Sequence, residues 1–399
     1  MDYKKIWSEV ITASLIIIIS AVAIISFIVI SDQDVDVYNP SDKIAVSKGT
    51  DKIAEVLTLI ESKYMGEVDI EKLIDGAIDG IFANIDDPYT RYMTEEEFNE
   101  EINPEEEYSG IGIHMGLNVS TGEVKILGVM PETPAAKVGL KAGDVILQVE
   151  DEKITKENYY EASEKIKGKE GTTVNIIVKR GDKELTFTIT RKTIEASNIS
   201  SDVINGTNIG YIKLFSFESG IYNEFKAEYY RLIREEKIDS IIIDLRDNPG
   251  GYVNETVKIA DFLCGKGLII KEEYGDGTVR TFTSDEEGSE IPFVVLINEN
   301  SASASEILSG AVKDLKAGTV IGTKSFGKGI MQSYIELENG GGVAITVAKY
   351  YTASGAEIHG VGITPDIEVK LPEGTYLDYS LNPNTDPQLK QAINTLKNK

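Results

Sequence analysis

"DSIIIDLRDNPGG", Asp239–Gly251, is the stretch that decides the fold. Three isoleucines and a leucine with no polar alternation describe a strand buried on both faces, and Pro-Gly-Gly then turns the chain. The same pattern recurs on either side. "IGYIKLFSF" (209–217) precedes the helical "IYNEFKAEYYRLIRE" (221–235); "IPFVVLINEN" (291–300) precedes a helix from about Ala302 and the strand "GTVIGT" (318–323). Strands alternating with helices predict α/β layers around a largely parallel sheet, with sites at the carboxyl ends of the strands. "RDNPGG" and "ENSASAS" (299–305) both occupy that position.

Composition narrows the chemistry. The 399 residues carry a formal charge of -26, which argues against nucleic acid as a partner. One cysteine and two histidines leave no disulfide framework and no Cys/His metal cluster, and nothing calls for a cofactor. The run Ile11–Ile30 is uncharged and long enough to cross a bilayer as a helix. Lys4 and Lys5 before it place residues 1–10 in the cytoplasm and everything after residue 31 outside. A cleaved signal peptide is the rival, because Ala21-Val22-Ala23 has the small-x-small form. The apolar run continues to Ile30, which favours a retained anchor.

A polar tether is expected over 31–48. A helical region follows over 49–93, with Ile53, Val56, Leu57 and Ile60, then Ile70, Leu73, Ile74, Ile78 and Ile81, at helical spacing. Such faces suit a partner, a second copy of the chain or packing within the chain; a homodimer is the expectation, although periodicity alone does not separate it from intrachain packing. "TEEEFNEEINPEEE" (94–107) reads as a solvated acidic face or hinge leading into a β-rich module that ends near 194. That module has a helix at 158–167 and a hairpin turn at Arg180–Lys183. Residues 195–371 form the α/β part, and 372–399 a carboxyl-terminal segment.

The three serines of "ENSASASEIL" (299–308) raise the question of a nucleophile and its base. There is no G-x-S-x-G elbow. His114 lies in the β-rich module, and His359 has no orienting acid beside it, so a Ser-His-Asp triad is not expected. A lysine can serve only as the free amine. At an ordinary pKa of about 10.4, roughly one amine in 2500 is neutral at pH 7, so the base needs an apolar, desolvated setting. Lys328, among Phe326, Gly327, Gly329, Ile330 and Met331, fits best. A Ser325–Lys328 S-x-x-K pair is the other dyad, but its two glycines disfavour the helix that would join it. Ser301 is expected to cap the helix after the serine row and Ser305 to pack inside it; Ser305 is also the alternative nucleophile.

Two resemblances add to this reading. "TPAAKVGLKAGDVI" (133–146) resembles the signature of bacterial PDZ domains, which implies a peptide groove at Tyr108-Ser109-Gly110-Ile111-Gly112-Ile113. Taken in order, "DDPYTRYM", the PDZ module, "DLRDNPGG", "NSASASEI", "KSFGKGIMQ" and "GVGITPDIEV" resemble the carboxyl-terminal processing peptidases, or tail-specific proteases. The resemblance implies a ClpP/crotonase-like serine protease core with an inserted PDZ domain. It also implies that Ser303 is the nucleophile, Lys328 its base and Gln332 the third member, and that protein substrates are selected by free carboxyl-terminal tails. Lys167, near the PDZ helix end, becomes a candidate gate residue. An inactive PDZ scaffold is the alternative from another class.

Geometry adds further expectations. Ser303 would open a helix, and the oxyanion hole would use the amides of Ala304, Gly250 and Gly251. Lys328 and Gln332 are four apart, so a local turn is expected to bring them together. Asp314 matches a family position, but on the same helix it lies about 16 Å along the axis from Ser303, which allows only a supporting role.

Overall fold

The structure is a computed structural model. It describes residues 40–102, 107–118, 122–130, 133–141, 143–155, 158–195, 198–285, 287–372 and 381–398. The apolar stretch 11–30 lies outside these. Among the described residues no helix is long and apolar enough to cross a membrane. The chain divides into two units, residues 1–81 and 82–399.

In the first unit, α1 spans Pro40–Lys63 and α2 starts at Ile70, running to Phe82. Helix α1 therefore begins inside the expected tether. Proline is favoured at a first helical position, and that local signal outweighs the lack of apolar periodicity over 41–48. Ile53, Val56 and Leu59 on α1 and Ile74 and Ile81 on α2 are exposed.

The second unit begins with β1 (Arg91–Met93) and α3 (Glu95–Ile102). The β-rich module follows. Strands β3 (Ile113–Asn118), β4 (Glu123–Val129), β5 (Val145–Val149), β7 (Thr173–Arg180) and β8 (Lys183–Thr190) form an antiparallel sheet in that order, with β6 (Glu152–Lys153) paired to β5. Helices α4 (Pro134–Val138) and α5 (Tyr159–Ile166) complete it. Ile111, Ile126, Val149, Val174, Ile176 and Ile189 are wholly buried in its core. Each is worth about 1.5–3 kcal/mol relative to exposure. A short ladder of β2 (Glu107–Gly110) and β9 (Lys192–Glu195) ties the module's two ends together.

The α/β part contains a six-stranded sheet of β10 (Ile199–Val203), β11 (Ile209–Leu214), β12 (Ser240–Asp244), β15 (Phe293–Ile297), β16 (Thr319–Gly322) and β19 (Ile367–Glu368). Only β10 runs antiparallel to its neighbour. Alternate side chains serve opposite faces, as a strand's two-residue period requires. Ile241, Ile243, Val295 and Ile297 meet α6 (Ile221–Arg234), α7 (Val253–Leu263) and α8 (Ala304–Asp314). Ile242, Val294 and Leu296 meet Leu389, Ala392, Ile393 and Leu396 of α9 (Pro387–Lys397). The carboxyl-terminal segment is thus half of the sheet's cover. A second, antiparallel sheet orders β1, β18 (Gly342–Thr352), β13 (Gly267–Tyr274) and β14 (Val279–Ser284), with β17 (Ile330–Glu336) paired to β18.

Candidate active site

The site forms where the chain leaves β12 and β15. These parallel neighbours end side by side, and a polar clasp joins their loops. Asp247 takes a left-handed φ of 58°, and its Oδ1 accepts from Asn298 Nδ2 (2.8 Å) and Asn300 Nδ2 (2.6 Å). Ser301 is wholly buried; its Oγ donates to Leu245 O (2.8 Å) and accepts from Asn298 N–H (2.9 Å). Ser301 is therefore a strut between the two strand ends, not the helix cap expected of it. Ser305 Oγ donates to Asn248 O (3.0 Å), so Ser305 packs as expected.

The cap position belongs to Ser303, with φ 53° and ψ -113°. A non-glycine residue there is strained, and strain of this kind concentrates at functional positions. The conformation puts Ser303 at a sharp strand-to-helix elbow although no elbow motif is present. Its N–H donates to Glu306 Oε2 at 2.9 Å.

Glu306 organises the site. It is wholly buried at the start of α8. Its Oε2 also accepts the N–H of Lys328 (2.7 Å), while Oε1 accepts Gly327 N–H (2.7 Å) and Ser325 Oγ (2.5 Å). Burial pushes its carboxyl above the ordinary value, and the four donated bonds oppose that. The shared oxygen, 2.9 Å from one nitrogen and 2.7 Å from the other, holds the Ser303 and Lys328 backbone nitrogens within 5.6 Å of each other. Ser325 is engaged on both sides, since its Oγ also accepts Ile363 N–H (2.6 Å), which leaves it structural rather than half of an S-x-x-K pair. Glu306 was not singled out in the sequence; the readable signal was an acid three residues after the cap serine, the capping-box spacing.

Lys328 is half-buried. Burial lowers its amine below the ordinary lysine value, while Glu101 and Asp87 act in the opposite sense. Its Nζ lies 4.7 Å from the centroid of the Tyr89 ring. Lys213 is buried more deeply and is also lowered by desolvation, but its Nζ donates to Arg246 O (2.7 Å) inside the core. Lys328 is the lysine tied to Ser303.

The expected turn over 328–332 does not form. Strand β17 starts at Ile330, with a bulge between Met331 and Gln332, and Gln332 Nε2 donates to Thr346 Oγ1 (3.3 Å) on β18 rather than to Lys328. Pairing with β18 satisfies the backbone that a turn would have left open. Asp314 Oδ2 accepts Ser354 N–H (2.7 Å), a supporting contact at the far end of α8.

The amides divide as well. Gly250 N–H donates to Asn248 Oδ1 (2.8 Å), so Gly250 does not supply the oxyanion amide expected of it. Its role is space: a Cβ there would lie 2.8 Å from Ser303 Cβ and 3.0 Å from Ala304 N. Gly251 forms a parallel bridge with Phe217 through Gly250 O and Tyr252 N–H, which turns its own N–H away from Phe217. Among the described hydrogen bonds neither Gly251 N–H nor Ala304 N–H has an acceptor. Ala304 N–H is the first of the orphan donors at a helix start, where the dipole favours negative charge.

Behind these loops Arg246 is buried with Asp244, Asp386 and Gln388. Asp244 also accepts from Tyr211 OH (2.7 Å). Burial would raise the Asp244 carboxyl, but Arg246 and Lys213 outweigh it and hold it down at about 2.

The proposed peptide groove is split. Residues 107–110 pair with β9, and Gly112 takes φ 83°, where a Cβ would lie 2.3 Å from the Thr133 side chain. The edge strand of this sheet, β3, starts at Ile113, and Tyr159 OH on α5 donates to Met115 O (3.2 Å). His114 on β3 stacks on Phe215, just beyond β11, with centroids 3.8 Å apart and planes 7° from parallel. Lys167 sits at the end of α5, exposed and paired with Glu164 (2.8 Å). The basic residue that ties down this helix end is Arg191, donating to Ile166 O (3.0 Å) and Lys165 O (2.6 Å).

Comparison with known proteins supplies the family. The family models for peptidase family S41 (residues 208–369), the PDZ domain (109–190) and the activating protease CtpB N-terminal domain (26–97) match the chain. The carboxyl-terminal-processing protease of Synechocystis sp. is 33% identical over 327 residues, covering 80% of this chain and 76% of that one. The chain belongs to peptidase family S41. This S41 peptidase is 33% identical over 351 residues to a probable CtpA-like serine protease of Staphylococcus haemolyticus, covering 86% of this chain and 69% of that one. A solved photosystem II D1 C-terminal processing protease superposes with a TM-score of 0.56 at 26% identity, covering 86% of this chain and 96% of that one. The peptidase is thus a serine-type member of a carboxyl-terminal-processing family, with a mixed α/β fold and a PDZ domain.

Proposed function

We propose that this S41 peptidase is a Ser–Lys endopeptidase that cleaves proteins presented by their carboxyl-terminal tails. The observation that carries the mechanism is the single Glu306 oxygen accepting both the Ser303 and the Lys328 amide. The neutral Lys328 amine takes the Ser303 hydroxyl proton as Oγ adds to the scissile carbonyl carbon. The oxyanion is received by the amides of Gly251 and Ala304. The lysine ammonium then protonates the departing amine, and the regenerated amine activates the water that hydrolyses the acyl-enzyme. A half-buried lysine with a lowered pKa suits both steps.

The substrate tail would pair with the edge strand β3, in place of the Tyr159 hydroxyl of α5 that donates to Met115 O, with its carboxylate toward the 110–112 turn. The exposed Ile53, Val56 and Leu59 of α1 and Ile74 and Ile81 of α2 suit a homodimer, which sedimentation of the chain without residues 1–39 would test. Residues 11–30 would anchor the protein with its catalytic part outside the cell. Protease accessibility on intact cells tests that part.

The deciding experiment compares the parent with Ser303→Ala and Lys328→Ala on an unstructured peptide bearing a free carboxyl end. Both variants should lose at least about 1000-fold in kcat/KM. Amidating the peptide's carboxyl end should raise KM in the parent. Parent-like cleavage by either variant would refute the mechanism, and equal cleavage of the amidated peptide would refute tail capture.

A further inference from the structure

The segment "DDPYTRYM" (86–93) has no part in the mechanism above, yet it supplies the surface on which the Lys328 amine rests. Asp87 Oδ1 accepts Tyr89 N–H (2.9 Å) and Asp87 Oδ2 accepts Thr90 Oγ1 (2.7 Å), which closes a tight turn. Thr90 Oγ1 in turn accepts Thr346 N–H (3.0 Å), and β1 pairs Arg91 with Ala344. Both contacts are to β18, whose other edge carries β17, the strand that begins two residues after Lys328. Ring and lysine are therefore referenced to one strand. Gln332 also reaches this assembly through Thr346, the residue whose amide holds the turn.

We infer that Tyr89 is a positioning residue for the Lys328 amine: its ring face, 4.7 Å from Nζ, sets where that amine waits before it takes the serine proton. The inference rests on Lys328 being the base. An aromatic face attracts the ammonium, so the ring places the group in its resting charged form and stabilises the ammonium that develops as the serine proton is taken. The charged groups around it are Asp87 on the turn, Glu101 on α3, Glu306 on α8 beneath the Lys328 backbone, and His359, which acts on Asp87. Asp87 and Glu101 also favour the ammonium, so the ring is one of three groups doing so and the only one that fixes a plane of approach.

The test is the pH dependence of single-turnover cleavage for Tyr89→Leu and Tyr89→Phe, with Lys328→Ala as control. Tyr89→Phe keeps the ring and should restore the parent's rate within about twofold and its pH profile. Tyr89→Leu should lower the high-pH plateau at least about 10-fold. It should also move the acid limb to lower pH by roughly half a unit to one and a half units, the size of one ring's attraction. Tyr89→Met is the second aliphatic variant if leucine does not fold. An acid limb that stays in place or moves up in the aliphatic variants overturns the inference, because lost packing alone admits water and raises the lysine. If Lys328→Ala still cleaves, the base assignment fails. If it is inactive while Tyr89→Leu behaves as the parent, only the role of Tyr89 fails.

Discussion

Replacing Glu306 should damage stability and catalysis together, by amounts that follow from its bonds. The carboxylate accepts three backbone amides and one hydroxyl while wholly buried. Glu306→Ala leaves those three amides without an acceptor. At about 1–3 kcal/mol per unsatisfied buried group, and with water entering the gap, the loss should be about 3–5 kcal/mol. Glu306→Gln keeps one acceptor oxygen but turns an NH2 toward two donors, so roughly half of that loss, about 2 kcal/mol, is expected. Its nearly equal shape removes cavity formation as an explanation. Because the same carboxylate holds the Ser303 and Lys328 amides, kcat should fall about 100-fold in the glutamine variant, the penalty of a misplacement near 1 Å. Urea unfolding and peptide cleavage on the same samples measure both. A glutamine variant within 0.5 kcal/mol of the parent and with kcat within about twofold would refute the assignment.

Other consequences follow from single contacts. Asp244→Asn removes one of the two carboxylates paired with buried Arg246, leaving it to Asp386, and should destabilise by about 3 kcal/mol in urea unfolding. The Asp244 carboxyl is held at about 2 against an ordinary 3.8, so its stabilisation is complete above 3.8 and is lost as pH falls toward 2. Acid titration of the parent and of the asparagine variant should differ in that window. Gly251→Ala puts a Cβ 2.5 Å from Phe217 O at φ 137°; it should destabilise by roughly 2 kcal/mol and cut kcat more than 100-fold, read by thermal unfolding and cleavage. The cleavage rate should rise with pH along a limb below the ordinary lysine pKa of 10.5, because the free amine is the active form; a limb at or above that value would contradict burial of Lys328.

The α/β layering was legible because β12 and β15 are apolar on both faces and end in "RDNPGG" and "ENSASAS", and the sheet's own geometry puts those ends together. Lys328 stands out in the sequence because its chain neighbours carry no carboxylate; the fold brings Asp87 and Glu101 to it from more than 200 residues away, which no local pattern announces. Glu306 was not, since a capping-box acid and an acid that bridges two chain segments have the same spacing. The turn at 328–332 was misjudged because i to i+4 spacing signals contact only in a helix, and pairing with β18 decides the local structure from 10 to 20 residues away. Ser301 is not the expected helix cap for a similar reason: its bond to Leu245 O comes from a strand end 56 residues earlier, and the cap position falls to Ser303. The elbow at Ser303 depends on Gly250, which leaves room for it, and that residue is more than 50 positions earlier in the chain.

The central claim is that Ser303 becomes acylated. Parent enzyme mixed with an activated ester of a short apolar peptide, quenched in acid during turnover and mapped by mass spectrometry, reads this directly. The acyl group should sit on Ser303 and disappear in Ser303→Ala. An acyl group on Ser301, Ser305 or Ser325, or turnover by Ser303→Ala at the parent rate, would contradict the account.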